Sequence, residues 1–215
     1  MLAPVAVPAP SFTALLFGLS GCLVDFGAQV RTLRMKDSQQ LTSTEATAQA
    51  ADYAIATPGA LGALKSLHFQ GVPCAWIEEL PAIIAQTLCA PLRGWIEPSP
   101  TPNHCWPAPD ACWQALMHLN VSQLDGCVLV SSDPRLLKSG LNAGLWTIGL
   151  ASCGPLCGAS PAQWEALSDS GREQLRTRAT LQLYEAGAHS VIDHLGELES
   201  CLADIALRRM KAEKP

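Results

Sequence analysis

The chain has 215 residues, 48% of them apolar and 15% charged, which is enough to bury one sizeable core, since domains usually run about 100–200 residues. Its net charge of −5, with Lys and Arg scattered and clustered only at Arg208, Arg209 and Lys211, argues against a nucleic-acid partner, which needs a basic footprint for the phosphate backbone. No apolar run reaches the roughly 18 residues of a membrane span, and the opening stretch to Pro10 lacks a basic leader and carries Pro4, Pro8 and Pro10, so it reads as a loose tail and not a signal peptide or anchor.

After the tail, Phe12 to Phe17 reads as a short buried strand ended by Gly18. Residues 31–53 are polar, with one weak helical candidate from Thr44 to Tyr53. Thr57 is expected to cap a helix that begins at Pro58 and carries Leu61, Leu64 and Leu67 on one side, with Gly71 just beyond it. Val72 to Ile77 reads as a strand, Leu80 to Leu88 as a helix, and Gly94 to Ile96 as a short strand ahead of a Pro-rich loop from Pro98 to Pro109. Asp110 is expected to cap a helix with Cys112, Ala115, Leu116 and Leu119 on one face. Cys127–Val130 reads as a strand, Arg135–Ala143 as a helix closed by Gly144, and Trp146–Leu150 as another strand. A helix from about Gly171 to Ala186, a strand at Ser190–Ile192 and a helix bearing Leu198, Cys201, Leu202 and Ile205 on one face complete the chain.

Alternating strands and helices predict an α/β fold, a three-layer Rossmann-like core with a parallel sheet and helices on both faces. Ligands of such sheets sit beyond the carboxyl ends of the strands, so the candidate site involves loops beginning near Gly18, Ile77, Cys105 and Ser131. The expected organisation is a tail at 1–11, one core domain at 12–207 with 31–53 as a reduced cap or linker, and a C-terminal tail at 208–215. Nine cysteines, an odd number spread from Cys22 to Cys201 and partly within apolar runs, read as reduced thiols of a cytoplasmic protein.

Phe17-Gly18-Leu19-Ser20-Gly21-Cys22-Leu23-Val24-Asp25 follows a strand and resembles the first motif of the haloacid dehalogenase superfamily, Phe-Asp-x-x-Gly-Thr-x-x-Asp. Pro107-Ala108-Pro109-Asp110, the stretch Gly140 to Gly149, and Gly187-Ala188-His189-Ser190-Val191-Ile192 then look like successive segments of the phosphonoacetaldehyde hydrolase family, in its order. The resemblance runs from about Phe12 to Ile205, apart from residues 31–53. It implies the haloacid dehalogenase core and a hydrolase that uses a carboxylate nucleophile, a hydroxyl donor, an oxyanion-holding cation and carboxylates for Mg²⁺.

Carried over position by position, the resemblance assigns the nucleophile to Gly18, which has no side chain, and the residue two further on to Ser20, small as in the phosphonate enzymes. The hydroxyl loop falls at Trp76-Ile77-Glu78-Glu79, where bulky and acidic groups would fill or repel an anion site. Where the resemblance calls for a basic residue to hold the oxyanion, just before Pro107, stands Trp106. Ser132 and Leu136 stand at the two metal-acid positions, and a one-residue gap would put Asp133 at the first. The segment between Asp25 and Pro58 is too short for the helical cap that carries the family's Schiff-base lysine; its only lysine, Lys36, has no matching surroundings and reads as solvated.

Two functions follow as expectations. One is a catalytically inactive pseudoenzyme, a binding or regulatory module for an unknown small molecule or protein partner, with a homodimer compatible with the sequence and neither nucleic acid nor membrane involved. The other is a Mg²⁺-dependent hydrolase of a small phosphorylated or phosphonate compound that relies on Asp133, Glu78, Glu79 or Cys22; no cofactor other than Mg²⁺ is called for. A bland role is preferred at each single residue: a turn glycine at Gly18, a structural imidazole at His189, a loop for Cys153-x-x-x-Cys157, and a buried isostere of threonine at Cys22. Trp76, Trp106, Trp113 and Trp146 read as core or pocket filler, the first two lining an apolar cleft.

Overall fold

The computed structural model describes residues 12–30 and 43–215. Six parallel strands form one sheet in the order β3-β2-β1-β4-β5-β6: β1 Ala14–Gly18, β2 Cys74–Ile77, β3 Glu97–Pro98, β4 Cys127–Ser131, β5 Trp146–Leu150 and β6 Ser190–Ile192. The helices are α1 Ser43–Asp52, α2 Ala60–Phe69, α3 Ala82–Leu88, α4 Asp110–His118, α5 Pro134–Asn142, α6 Pro161–Ala166, α7 Asp169–Glu185 and α8 Leu198–Met210. The central strands are buried along their whole length, which is why they read as continuous apolar runs and not as alternating ones.

Alternate side chains along each strand feed two layers. Leu15, Phe17, Val128, Val130 and Ile148 pack with Leu64, Leu88, Leu198 and Ile205 on the α2, α3 and α8 side. Leu16, Ile77 and Leu129 pack with Cys112, Ala115 and Leu136 on the α4 and α5 side. A smaller cluster, Leu137, Ala151, Ala179, Leu183 and Ala188, seats α7 over the β5 edge. The three-layer arrangement expected from the alternation is therefore present.

Local differences lie at element ends, apart from one helix that was not expected. β1 starts at Ala14 because Thr13 N–H and its hydroxyl bond back to Gly126 and Asp125 carbonyls. The third strand is Glu97–Pro98, since Gly94 and Trp95 still belong to the turn in which Trp95 N–H donates to Leu92 O. Thr57 does not cap α2; its hydroxyl donates to Cys22 O, and Gly59 precedes the helix. Asp110 is not a cap either but the first residue of α4, its carboxylate accepting N–H from Asn103 and His104. Helix α6 was not expected, although Ser160-Pro161-x-Gln163 is a capping box that marks its start. Helix α8 runs on through Met210, three residues into the stretch expected as a tail. Lys36 lies outside the described residues, and among the described ones no helix is long and apolar enough to cross a membrane.

Candidate functional site

The loops that follow β1, β2 and β4 meet at the carboxyl end of the sheet. Gly18 is the last residue of β1, in register with Ile77 of β2. A Cβ at Gly18 would stand 3.1 Å from Ser131 Oγ, 3.3 Å from Leu136 Cδ2 and 3.5 Å from Cys22 Cβ, so a side chain there would require its neighbours to give by a few tenths of an ångström. The turn after it closes on itself: Gly21 N–H donates to Val24 O, and Ser20 Oγ donates to Asp25 Oδ2 at 2.8 Å. Asp25, at a positive φ of 55°, also accepts N–H from Gln29 and Val30. These bonds tie the loop down.

Glu78 holds the place where an anion would be expected. Its carboxylate, only 6% exposed, accepts Ser20 N–H at 3.0 Å through Oε2 and the N–H groups of Glu79 and Leu80 through Oε1. Converging backbone N–H groups form an anion-binding concavity, and here the chain's own carboxylate fills it. Ile77, buried at 1%, belongs to the core on the α4 and α5 side. Glu79 is drawn the other way, accepting Trp106 N–H at 2.7 Å and an Arg135 N–H at 3.0 Å. Arg135 also lies over the Trp106 ring, 5.5 Å from its centroid. Nothing in the spacing of residues 79, 106 and 135 foretells this group, because only the meeting of three loops creates it.

Ser132 and Asp133 do not form a metal pair. Ser132 Oγ donates to Gly21 O at 2.8 Å, and Leu136 is fully buried. Asp133, weighed above as a Mg²⁺ ligand, caps α5: Oδ1 accepts Arg135 N–H at 2.8 Å, while Oδ2 lies 3.5 Å from the Arg135 guanidinium. The sequence signal for this was Asp-Pro ahead of a helical pattern. Hard Mg²⁺ wants several oxygens in a near-octahedral shell, whereas these oxygens already serve backbone and guanidinium donors. Among the described residues no three of His, Cys, Asp and Glu are grouped as a metal ion would need.

No protein-family model matches the chain. Phosphonoacetaldehyde hydrolase from Bordetella pertussis is 30% identical over 171 residues, covering 77% of this chain and 62% of that protein. A phosphonoacetaldehyde hydrolase-like protein from Oleispira antarctica superposes with a TM-score of 0.86 at 21% identity, with both chains covered in full. Another solved crystal structure is 64% identical, with a TM-score of 0.85 over 95% of this chain and 100% of that one. This chain belongs to the haloacid dehalogenase superfamily, on its phosphonoacetaldehyde hydrolase-like side. It spans a little under two thirds of the length of the curated relatives it matches.

In this haloacid dehalogenase-like protein the remaining candidates are scattered. Cys22 is fully buried, with Sγ 3.5 Å from Val130 O. Burial, and then neighbouring Cys153, push its thiol well above the usual range, the opposite of what a nucleophilic thiol needs. Cys153 and Cys157 are unbridged and buried in the loop after β5. His189 precedes β6, at the amino end of the sheet and so opposite the site. Its Nδ1 accepts Thr147 N–H at 3.0 Å, and its ring lies 4.9 Å from that of Trp146. Trp76 and Trp106 do not line a common cleft: Trp76 packs on the α2 side of the sheet and Trp106 on the α4 side. Trp113 is not core, being 45% exposed. A cavity of about 460 Å³ does open at this end of the sheet, but toward the β5 and β6 loops, where it is lined by residues such as Phe26, Ser152, Trp164, Arg176 and Asp193.

Asp25 gives the site a pH signature. Burial, only partly offset by the Ser20, Gln29 and Val30 hydrogen bonds, raises its carboxyl above the ordinary value. A folded pKa above the unfolded one means that the Asp25 contribution to stability is complete below the unfolded pKa and is lost as pH rises through the folded one. The stability advantage of the natural chain over Asp25→Asn is therefore expected to be greatest in acid and to shrink toward neutrality. Urea unfolding between pH 3 and 7 measures this (a range set by the ordinary carboxyl titration near 4), and an advantage that grows with pH would contradict it.

Proposed function

We propose that this protein is a catalytically inactive member of the superfamily, a binding or regulatory module that uses the fold without the phosphoryl chemistry. The observation that carries this reading is the Glu78 carboxylate seated on the N–H groups of Ser20, Glu79 and Leu80. A phosphoryl or phosphonyl group would have to displace a buried anion of the protein itself, and like charges at that distance repel strongly in a poorly hydrated site. Gly18 adds that no side chain at the end of β1 can attack, and a side chain placed there would press on Ser131 and Leu136. Function resides in sites more than in folds, so kinship with phosphonoacetaldehyde hydrolase supports the scaffold and not the reaction. The ligand is a small molecule or a protein partner, met where the cavity beside β5 and β6 or the outer helix faces remain accessible.

The test is turnover of phosphonoacetaldehyde and a phosphoester panel with Mg²⁺, together with thermal shifts in inorganic phosphate. Neither turnover above the buffer rate nor a phosphate-induced shift is expected. Hydrolysis that persists through repurification and disappears with a chelator would overturn the proposal in favour of an atypical Mg²⁺-dependent hydrolase.

A further inference from the structure

The cavity of about 460 Å³ beyond the carboxyl ends of β5 and β6 has walls of two kinds. Phe26, from the loop after β1, and Trp164 of α6 form an aromatic one, their ring centroids 5.8 Å apart and their planes inclined at 58°. Helix α6 buries none of its residues, so Trp164 serves this wall and not the sheet. Arg172 and Arg176, one turn apart on α7, form a cationic wall. The Arg176 charge is already matched, since Asp193 and Glu173 each accept from one of its terminal nitrogens. Arg172 has one partner among the described residues, Asp169 at 2.7 Å, and that carboxylate is fully exposed, a pairing worth little against a competing anion. Ser152, just after β5, also lines the cavity. It is only 7% exposed, yet its hydroxyl bonds to none of the described residues, and a buried hydroxyl is costly to leave without a partner.

We propose that this cavity binds a small monocarboxylate with a flat apolar body, of the aryl acetate kind. The proposal rests on the reading of the protein as a binding module and names the ligand class. A guanidinium presents five N–H donors in a fork that matches a carboxylate, and most of those on Arg172 have no protein partner among the described residues. The Ser152 hydroxyl supplies a further donor in the same cavity. The apolar body would lie against Phe26 and Trp164, in keeping with small-molecule sites that join apolar walls to a few placed polar groups. The charges select a single negative one. A dianion such as phosphate would meet Asp193 and Glu173 beside the one guanidinium left to it, and an ammonium group would meet Arg172 and Arg176.

Titrating the isotope-labelled full-length protein with benzoate, phenylacetate and indole-3-acetate, and following the tryptophan indole N–H signals by NMR, tests this. The Trp164 signal, identified by its loss in Trp164→Phe, is expected to shift saturably with at least one of the three acids. It should stay in place with neutral phenylacetamide, cationic phenethylamine and inorganic phosphate. Arg172→Gln should weaken the binding by about tenfold or more, the scale of a lost charge-assisted hydrogen bond. Ser152→Ala should weaken it severalfold without lowering the urea midpoint, because that hydroxyl has no partner to lose among the described residues; a lowered midpoint with unchanged affinity would make Ser152 structural and count against the proposal. No saturable shift with any of the acids, an equal response to phenylacetamide, or undiminished affinity in Arg172→Gln would overturn it. The titrations require neither Mg²⁺ nor turnover. Their failure would leave the inactive-module reading standing, whereas Mg²⁺-dependent hydrolysis would sink that reading without altering the titrations.

Discussion

Gly18→Asp, which places a carboxylate where the resemblance assigns the nucleophile, is expected to cost folding stability on the order of 3–5 kcal/mol, the scale of an uncompensated buried charge. Two terms contribute. The new Cβ would lie 3.1 Å from Ser131 Oγ and 3.3 Å from Leu136 Cδ2, tighter than packed neighbours normally allow, and overpacking alone costs about 1–3 kcal/mol. The carboxylate would then enter the end of the sheet that already buries Glu78, with the nearby Arg135 engaged by Glu79 and Asp133. Chemical denaturation of Gly18→Asp, and of Gly18→Asp with Ser132→Asp, should show a midpoint far below that of the natural chain and no gain of hydrolysis. A variant as stable as the natural protein would mean that the pocket is roomier and less hostile to an anion than its packing implies.

The second large effect concerns Gly154, where the loop after β5 presses on the loop after β4. Its φ is +82°, and a Cβ there would fall 2.0 Å from Ser132 Oγ and 2.2 Å from Ser132 Cβ, distances at which the loops must part. Gly154→Ala therefore combines left-handed strain, about 1–2 kcal/mol, with overpacking of about 1–3 kcal/mol, and is expected to destabilise by about 2–5 kcal/mol in sum. Ser132→Gly removes the atoms in the way. In the double variant the overpacking part should return while the strain part stays, giving a coupling of 1 kcal/mol or more, within the range seen for residues in contact. Additive effects in urea denaturation would show that the two loops do not rest on one another at this point.

Much of the architecture was legible because its causes are local. Buried parallel strands are short apolar runs, and Trp146–Leu150 and Ser190–Ile192 stand in the structure with the ends that composition indicates. The outcome at helix starts depended on which polar side chain had a better partner elsewhere. Thr57 and Asp110 have capping chemistry, yet one bonds the β1 loop and the other the loop before α4, whereas Asp133, read as a metal candidate, became the cap. A cap is a bond to a nearby N–H, and sequence cannot show which distant acceptor or donor competes for it.

By itself, the sequence determined the layer order, the burial of the strands and the residue types at the end of β1, since glycine at position 18 excludes side-chain chemistry in any fold. Only the tertiary structure decided what those residues do together. That Glu78 would reach across to Ser20, that Glu79 would gather Trp106 and Arg135, and that Trp76 and Trp106 would fall on opposite faces of the sheet all depend on strand order and on loops that meet in space. Those relations span up to 58 residues of chain, far beyond the helical and strand periodicities that a sequence carries.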